Sequence, residues 1–268
     1  MGADGTVHVF DYDRYRHTVV PGLIGLIGGA GPTPWFNDVC DRLGGGFEPG
    51  WRQLAAELRE RPTDLARHCT WLGEDLRHPG RSPAARDAWE GRRGRWDLVR
   101  CSSQTCPERT HCLLHERLGR ARSELMEELF ILVEAVTEDC CVGLGRFIGR
   151  NATLHGLRPL LSDLGVPAGD RVFELFAALG GRGWANGFSL GAADGVHGWL
   201  TPPEAVELAA RLDPLDLPAV EPTDAAMGRA HRASMDDPSI PWLPLTLSFV
   251  RIMAHRAARD GHGLLFEH

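Results

Sequence analysis

Three cysteines lie close together in the middle of this chain, in a segment whose other residues are mostly small or polar. They are Cys101, Cys106 and Cys112, within the stretch CSSQTCPERTHCL. Thiolates this close in sequence can share one metal only if the loop between them turns, because a zinc–sulfur bond is about 2.3 Å long. The Ser, Thr and Gln residues between them, with Pro107 after the second cysteine, suit such a turn. The spacing therefore predicts a metal-binding loop at about residues 98–116.

The cellular compartment bears on what clustered cysteines do. The segment MGADGTVHVFDYDRYRH has neither the cationic start nor the apolar stretch of a secretory signal, so we expect a cytoplasmic protein. In a reducing compartment, clustered cysteines more often bind metals or act as redox groups than form structural disulfides. The chain has seven cysteines, an odd number, so they cannot all pair within one chain.

The cysteine loop resembles the cluster-binding motif of a known family. CPERTHCL is similar to the C-P-x-R-x-x-C-L segment of the WhiB-like proteins, small bacterial regulators that hold a [4Fe–4S] cluster on four cysteines. That family has a further cysteine some thirty residues upstream, and here 31 residues separate Cys69 from Cys101. The resemblance covers about Cys69 to Leu118. It implies that the cluster ligands are Cys69, Cys101, Cys106 and Cys112.

Zinc is the alternative metal, and two features of the chain favour it. The family's first cysteine pair is usually spaced C-x2-C, whereas Cys101 and Cys106 are spaced C-x4-C. Cys112 and His115 are spaced C-x2-H, so three thiolates and one imidazole can form a tetrahedral zinc site. Cys140 and Cys141 are further candidates for the fourth ligand of either metal. If the loop binds no metal, we expect its cysteines to be buried thiols or thiols that are easily oxidised.

Composition limits the classes of partner. The net charge of −7 argues against a dedicated nucleic-acid binder, although RDAWEGRRGRW, residues 86–96, interleaves arginine with tryptophan. The longest apolar run, Val19 to Ala30, is too short to span a bilayer, so we expect no membrane partner. A small-molecule substrate fits a metal centre. The sequence carries no signature of a catalytic nucleophile and no signal for an oligomeric state.

Three functions are compatible with these residues. The first is an iron–sulfur protein that carries out redox or Lewis-acid chemistry on a small molecule. The second is a sensor or regulator in which cluster loss or thiol oxidation changes partner binding. The third is a binding protein with a structural zinc site. We leave open whether the protein is an enzyme.

Hydrophobic periodicity and turn residues predict the elements that position the loop. Strands are predicted at Thr6–Tyr12 and at GLLFEH near the end of the sequence. Helices are predicted at Trp51–Arg61, Thr63–Leu76, Glu116–Cys141, Leu157–Leu164, Arg171–Leu179, Thr201–Leu212 and Leu245–Asp260. GLIGLIGGAG, residues 22–31, is predicted to be a flexible turn, and glycine- and proline-rich turns are predicted around Gly28–Pro34 and Gly44–Gly50. The pattern predicts a single domain of the α+β class, mainly helical, with a small sheet formed by terminal strands.

Overall fold

The computed structural model describes residues 4–60, 120–150, 153–180 and 196–267. Within these ranges the fold is mainly helical with one four-stranded sheet, which confirms the predicted α+β class. The strands are β1 (Asp4–Phe10), β2 (Cys141–Arg150), β3 (Val196–Leu200) and β4 (Gly263–Glu267). The α-helices are α1 (Tyr12–Arg14), α2 (Val20–Ile27), α3 (Pro34–Val39), α4 (Glu48–Glu60), α5 (Arg120–Glu138), α6 (Thr153–Asp163), α7 (Arg171–Leu179), α8 (Pro202–Leu212), α9 (Asp224–Asp236) and α10 (Trp242–Asp260). None of the helices in these ranges is both long enough and apolar enough to cross a bilayer.

The sheet has the strand order β2-β1-β4-β3, so the two strands predicted from the ends of the sequence lie side by side in its centre. β1 runs antiparallel to both of its neighbours. Val7 of β1 pairs with Arg146 of β2 on one side and with Phe266 of β4 on the other. The β1–β2 register is irregular between Val7 and Val9.

The described residues fall into two compact units, and the sheet belongs to the first. This sheet unit contains residues 4–12, 140–150, 153–180 and 197–267. Its core joins apolar side chains of β1 and β4 to the buried faces of α6, α7, α8 and α10. The buried stripe of α10, which includes Phe249 and Met253, packs against the strands. Burial of this continuous apolar surface is the main force that holds the unit together.

The helical unit contains residues 13–60 and 120–139. α4 packs against α5, and Trp51 and Leu54 of α4 are fully buried. The carboxyl group of Glu128 lies so close to Gly50 that a Cβ at position 50 would be 2.4 Å from the Glu128 Cδ. Glycine at position 50 therefore allows the two helices to approach closely.

Asp139 follows the last residue of α5 and binds two arginines of the helical unit. Its carboxylate accepts hydrogen bonds from Arg42 Nη1 and Nη2 at 3.1 and 3.0 Å and also pairs with Arg14. Its backbone carbonyl accepts a further bond from Arg14 Nη1 at 2.6 Å. Burial alone would raise the pKa of Asp139, but the bond from Arg42 and the charges of Arg14 and Arg42 outweigh burial and lower it. This residue ties the end of α5 to α1 and to the π-helical segment Cys40–Gly44, which contains Arg42.

Two glycine-rich predictions are wrong. Most of GLIGLIGGAG is helical, because it lies in α2 with Leu23, Leu26 and Ile27 buried at helical spacing. Gly22 is required there, since a Cβ at this position would lie 2.4 Å from the Trp35 ring. Gly44–Gly50 is also helical. It begins in the π-helical segment Cys40–Gly44, continues as a 3₁₀ turn, and becomes the start of α4. In both segments, burial of neighbouring apolar side chains outweighs the entropic cost of glycine.

The long central helix ends earlier than predicted. α5 stops at Glu138, the chain turns at Asp139 and Cys140, and Cys141 begins β2. The apolar stripe is confirmed where side chains are described, because Leu129, Leu132, Val133 and Val136 are all buried. Residues 116–119 lie outside the described ranges, as does the predicted helix Thr63–Leu76.

The remaining predicted elements are confirmed with small shifts of their ends. α4, α6, α7, α8 and α10 correspond to predicted helices, and β1 and β4 to predicted strands. β2, β3, α3 and α9 were not predicted from the sequence. Of these, β2 and α9 belong to the sheet unit.

Candidate functional site

Most of the predicted metal ligands lie outside the residues that the structure describes. These are Cys69, Cys101, Cys106, Cys112 and His115. Cys140 and Cys141, the remaining candidates for the fourth ligand, lie within the sheet unit. The predicted metal site therefore remains a prediction.

Cys140 and Cys141 link the end of α5 to the sheet. Cys140 is buried, and its carbonyl accepts a hydrogen bond from the backbone N–H of Asp11 at 2.8 Å. Cys141 is half-buried and pairs with Phe10 of β1. Within the described ranges, no three His, Cys, Asp or Glu side chains are grouped so that they could hold a metal ion.

Cys40 differs from a metal ligand in its surroundings. It is buried at the start of the π-helical segment Cys40–Gly44. Burial raises the pKa of its thiol. The charge of Arg52 acts in the opposite direction, and those of Glu48 and Asp41 add to the rise. Since metals bind the thiolate rather than the thiol, these surroundings disfavour Cys40 as a ligand.

A second cluster of chemically capable side chains lies in the sheet unit, where β2 meets α9 and α10. Asp224, in the first turn of α9, accepts a hydrogen bond from Arg256 Nη1 at 2.6 Å. Arg256 also donates from Nη2 to the carbonyl of Pro222 at 2.9 Å. Arg146 of β2 is held more loosely, with its Nη2 3.5 Å from Asp224 Oδ1 and 3.4 Å from the Asp224 carbonyl oxygen. The hydrogen bond from Arg256 and the charges of Arg256 and Arg146 lower the pKa of Asp224.

His231 lies two helical turns beyond Asp224 on α9, and its imidazole is surrounded by aromatic rings. The ring centroid of Phe147 is 5.0 Å away and that of Trp242 is 5.2 Å away, both in edge-to-face arrangements. Trp242 in turn contacts Phe249 at 6.3 Å. Burial lowers the pKa of His231, and the positive charges of Arg146 and Arg232 lower it further. Both effects favour the neutral form of the imidazole.

Two polar atoms of this cluster are buried without a hydrogen-bond partner among the residues that the structure describes: Arg146 Nε and His231 Nδ1. Most buried polar atoms in proteins are hydrogen-bonded, so such a pair calls for an explanation. We call Arg146, Asp224, His231 and Arg256 the arginine–histidine cluster. With two guanidinium groups, one carboxylate and a neutral imidazole, it carries a net positive charge.

This cluster was not predicted from the sequence because its members are far apart in the chain and because β2 and α9 were not predicted. Arg146 and Asp224 are separated by 78 positions. One local signal was present, since Thr223 caps α9 by accepting a hydrogen bond from Ala226 N at 3.1 Å. A threonine in this position, followed by Asp224, is typical of a helix start.

Comparison of the chain with protein-family models, curated proteins and solved structures finds no match.

Proposed function

We propose that the protein is a cysteine-ligated metalloprotein that holds an iron–sulfur cluster on Cys69, Cys101, Cys106 and Cys112. The observation that carries the proposal is the C-x4-C-P-x4-C spacing of the loop, with three cysteines in twelve residues. Thiolates are the usual ligands of such clusters, and backbone N–H groups around the sulfurs tune them. The surroundings of Cys40 support this choice of ligands, because its raised thiol pKa disfavours the thiolate form.

Such a cluster, when bound, supplies redox or Lewis-acid chemistry. The chain's part would be to hold it through loop thiolates, with Pro107 fixing one turn of the loop. A small molecule is the partner that we propose for this chemistry, and the cytoplasm is the compartment. If Cys69 is not a ligand, Cys140 or Cys141 is the proposed fourth ligand.

A structural zinc site is the second candidate, and the C-x2-H spacing of Cys112 and His115 favours it. In that case Cys101, Cys106, Cys112 and His115 would hold one zinc ion in a closed tetrahedral site. Removing the metal would then unfold the loop.

The deciding experiment is to measure iron, zinc and acid-labile sulfide, with an absorption spectrum, on protein purified without oxygen. About four iron and four sulfide per chain, with a broad band at roughly 400 nm, is the result expected for a [4Fe–4S] cluster. One zinc and no colour would establish the zinc site instead. Protein that contains neither metal would overturn both proposals.

Cysteine variants test the ligand assignment. Cys106→Ser and Cys112→Ser should each lose most of the bound metal, because a hydroxyl is a poor replacement for a thiolate. Cys40→Ser is the matched control and should leave metal content unchanged, since Cys40 is buried outside the loop. Full metal content in both loop variants would show that the loop does not bind the metal.

A further inference from the structure

The arginine–histidine cluster has more positive charge than its own carboxylate can balance. Arg256 donates a hydrogen bond to the Asp224 carboxylate at 2.6 Å and a second one to the Pro222 carbonyl. Arg146 reaches the same carboxylate only at 3.5 Å, although its side chain is just 14% exposed. A guanidinium withdrawn from water to this degree needs a close partner to offset the lost hydration. Arg146 therefore shares the Asp224 carboxylate with Arg256 at the longer distance, and its Nε atom has no hydrogen-bond partner among the described residues.

The unpartnered atoms indicate what would complete the cluster. Arg146 Nε is a hydrogen-bond donor in every protonation state that proteins adopt, and His231 Nδ1 is a donor in one of the two neutral tautomers. One face of a guanidinium, Nε together with an Nη, matches the two oxygens of a carboxylate. The charges that act on His231 are those of Arg146 and Arg232, both positive. The missing partner is thus an acceptor with negative charge.

The rings around His231 indicate the rest of the ligand. Phe147 and Trp242 approach the imidazole from separate elements, β2 and α10. Their centroids are also 5.9 Å apart. An aromatic or other apolar group attached to the carboxylate would meet these rings in the edge-to-face or offset contacts that aromatic groups prefer.

We propose that Arg146 and His231 form a binding site for the carboxylate of a small aromatic acid, whose ring contacts Phe147 and Trp242. The acid's carboxylate accepts from Arg146 Nε–H and from the Nδ1–H of His231. Asp224 stays with Arg256, which keeps the first turn of α9 in place. Because the two unpartnered atoms are buried, the side chain of His231 or its ring neighbours must shift for the ligand to enter.

The test is a calorimetric titration of the intact 268-residue chain with three probes: benzoate, its neutral analogue benzamide, and inorganic phosphate. Benzoate should bind at least tenfold more tightly than either of the others. Arg146→Gln should weaken benzoate binding at least tenfold. The control variant Arg259→Gln should leave it unchanged, since Arg259 is 73% exposed and pairs with its neighbour Asp260.

A measurement on the unaltered protein covers the case in which Arg146→Gln fails to fold. Benzoate should shift the NMR resonance of the Arg146 Nε–H, and benzamide should not. Benzamide binding as tightly as benzoate would overturn the charge argument. Phosphate binding as tightly would overturn the assignment to an aromatic acid. No binding, or benzoate binding that leaves the Arg146 resonance unmoved, would overturn the site.

Discussion

A single carboxylate, that of Asp139, joins α5 to two arginines of the helical unit, and its side chain is only 18% exposed. Asp139→Asn keeps the shape of the side chain but removes the charge that Arg14 and Arg42 share. Hydrogen bonds to charged groups contribute about 1.5–3 kcal/mol, so we expect a loss of about 1–3 kcal/mol in the free energy of unfolding. Urea denaturation measures this loss. Asp41→Asn is the control, since Asp41 is 71% exposed and should cost less than about 0.5 kcal/mol.

The same residue gives the helical unit a pH dependence with a definite sign. The folded-state pKa of Asp139 is lower than its ordinary value. Its contribution to stability is therefore fully present above the ordinary carboxyl pKa and is lost as the pH falls through the lower, folded-state value. The loss of stability on acidification should be smaller in Asp139→Asn than in the unaltered protein. An identical acid dependence in both proteins would contradict this assignment.

At the scale of elements, the start of α8 shows how a local motif fixes a helix end. The Glu204 carboxylate accepts from the Thr201 backbone N–H and from its hydroxyl, each at 2.9 Å. Glu204→Ala should lower the free energy of unfolding by about 1 kcal/mol, because it leaves a helix-end N–H without a partner. Glu207→Ala, in the same helix, is the matched control and removes only surface ion pairs. Equal losses in the two variants would show that the cap contributes nothing.

The elements also show what the sequence could and could not predict. α7 and α8 were predicted closely because their caps, Asp170 and Thr201, and their apolar stripes are local signals. α2 was mistaken for a turn because the burial that stabilises it depends on contacts such as that of Gly22 with Trp35, which no local pattern shows. β2 was missed because its glycines weaken the alternating pattern of a strand. Its strand conformation depends on pairing with β1, which no local pattern shows.

The two candidate sites also differ in how far the sequence could predict them. The cysteine loop could be recognised because its residues are neighbours in the chain and their spacing is itself the signal. The arginine–histidine cluster could not, because three elements bring its members together and arginine is the only basic residue type in this chain apart from histidine. No single arginine therefore stands out from the other 28 until the fold places it.

At the scale of the whole molecule, the sheet depends on a close contact between β3 and β4. A Cβ at Gly263 would lie 2.1 Å from the carbonyl oxygen of Leu200, so a side chain there must push the two strands apart. Gly263→Ala should destabilise the protein by about 1–3 kcal/mol, the usual cost of overpacking. Thermal unfolding monitored by circular dichroism measures the change. Gly169→Ala, where an added Cβ meets no described atom within 4 Å, should leave the unfolding temperature nearly unchanged.

The central position of β1 in the sheet has a consequence for how the protein is made. β1 pairs with β4, and the contact between His8 and Glu267 joins residues 259 positions apart. At ribosomal rates of roughly 5–20 residues per second, β1 would wait on the order of 10 to 50 s before its second partner is synthesised. During that interval the backbone edge of β1 that pairs with β4 lacks its native neighbour. The strand also carries apolar side chains that are buried in the folded protein, those of Val7, Val9 and Phe10. Nascent chains of this protein should therefore need protection by a chaperone until β4 emerges.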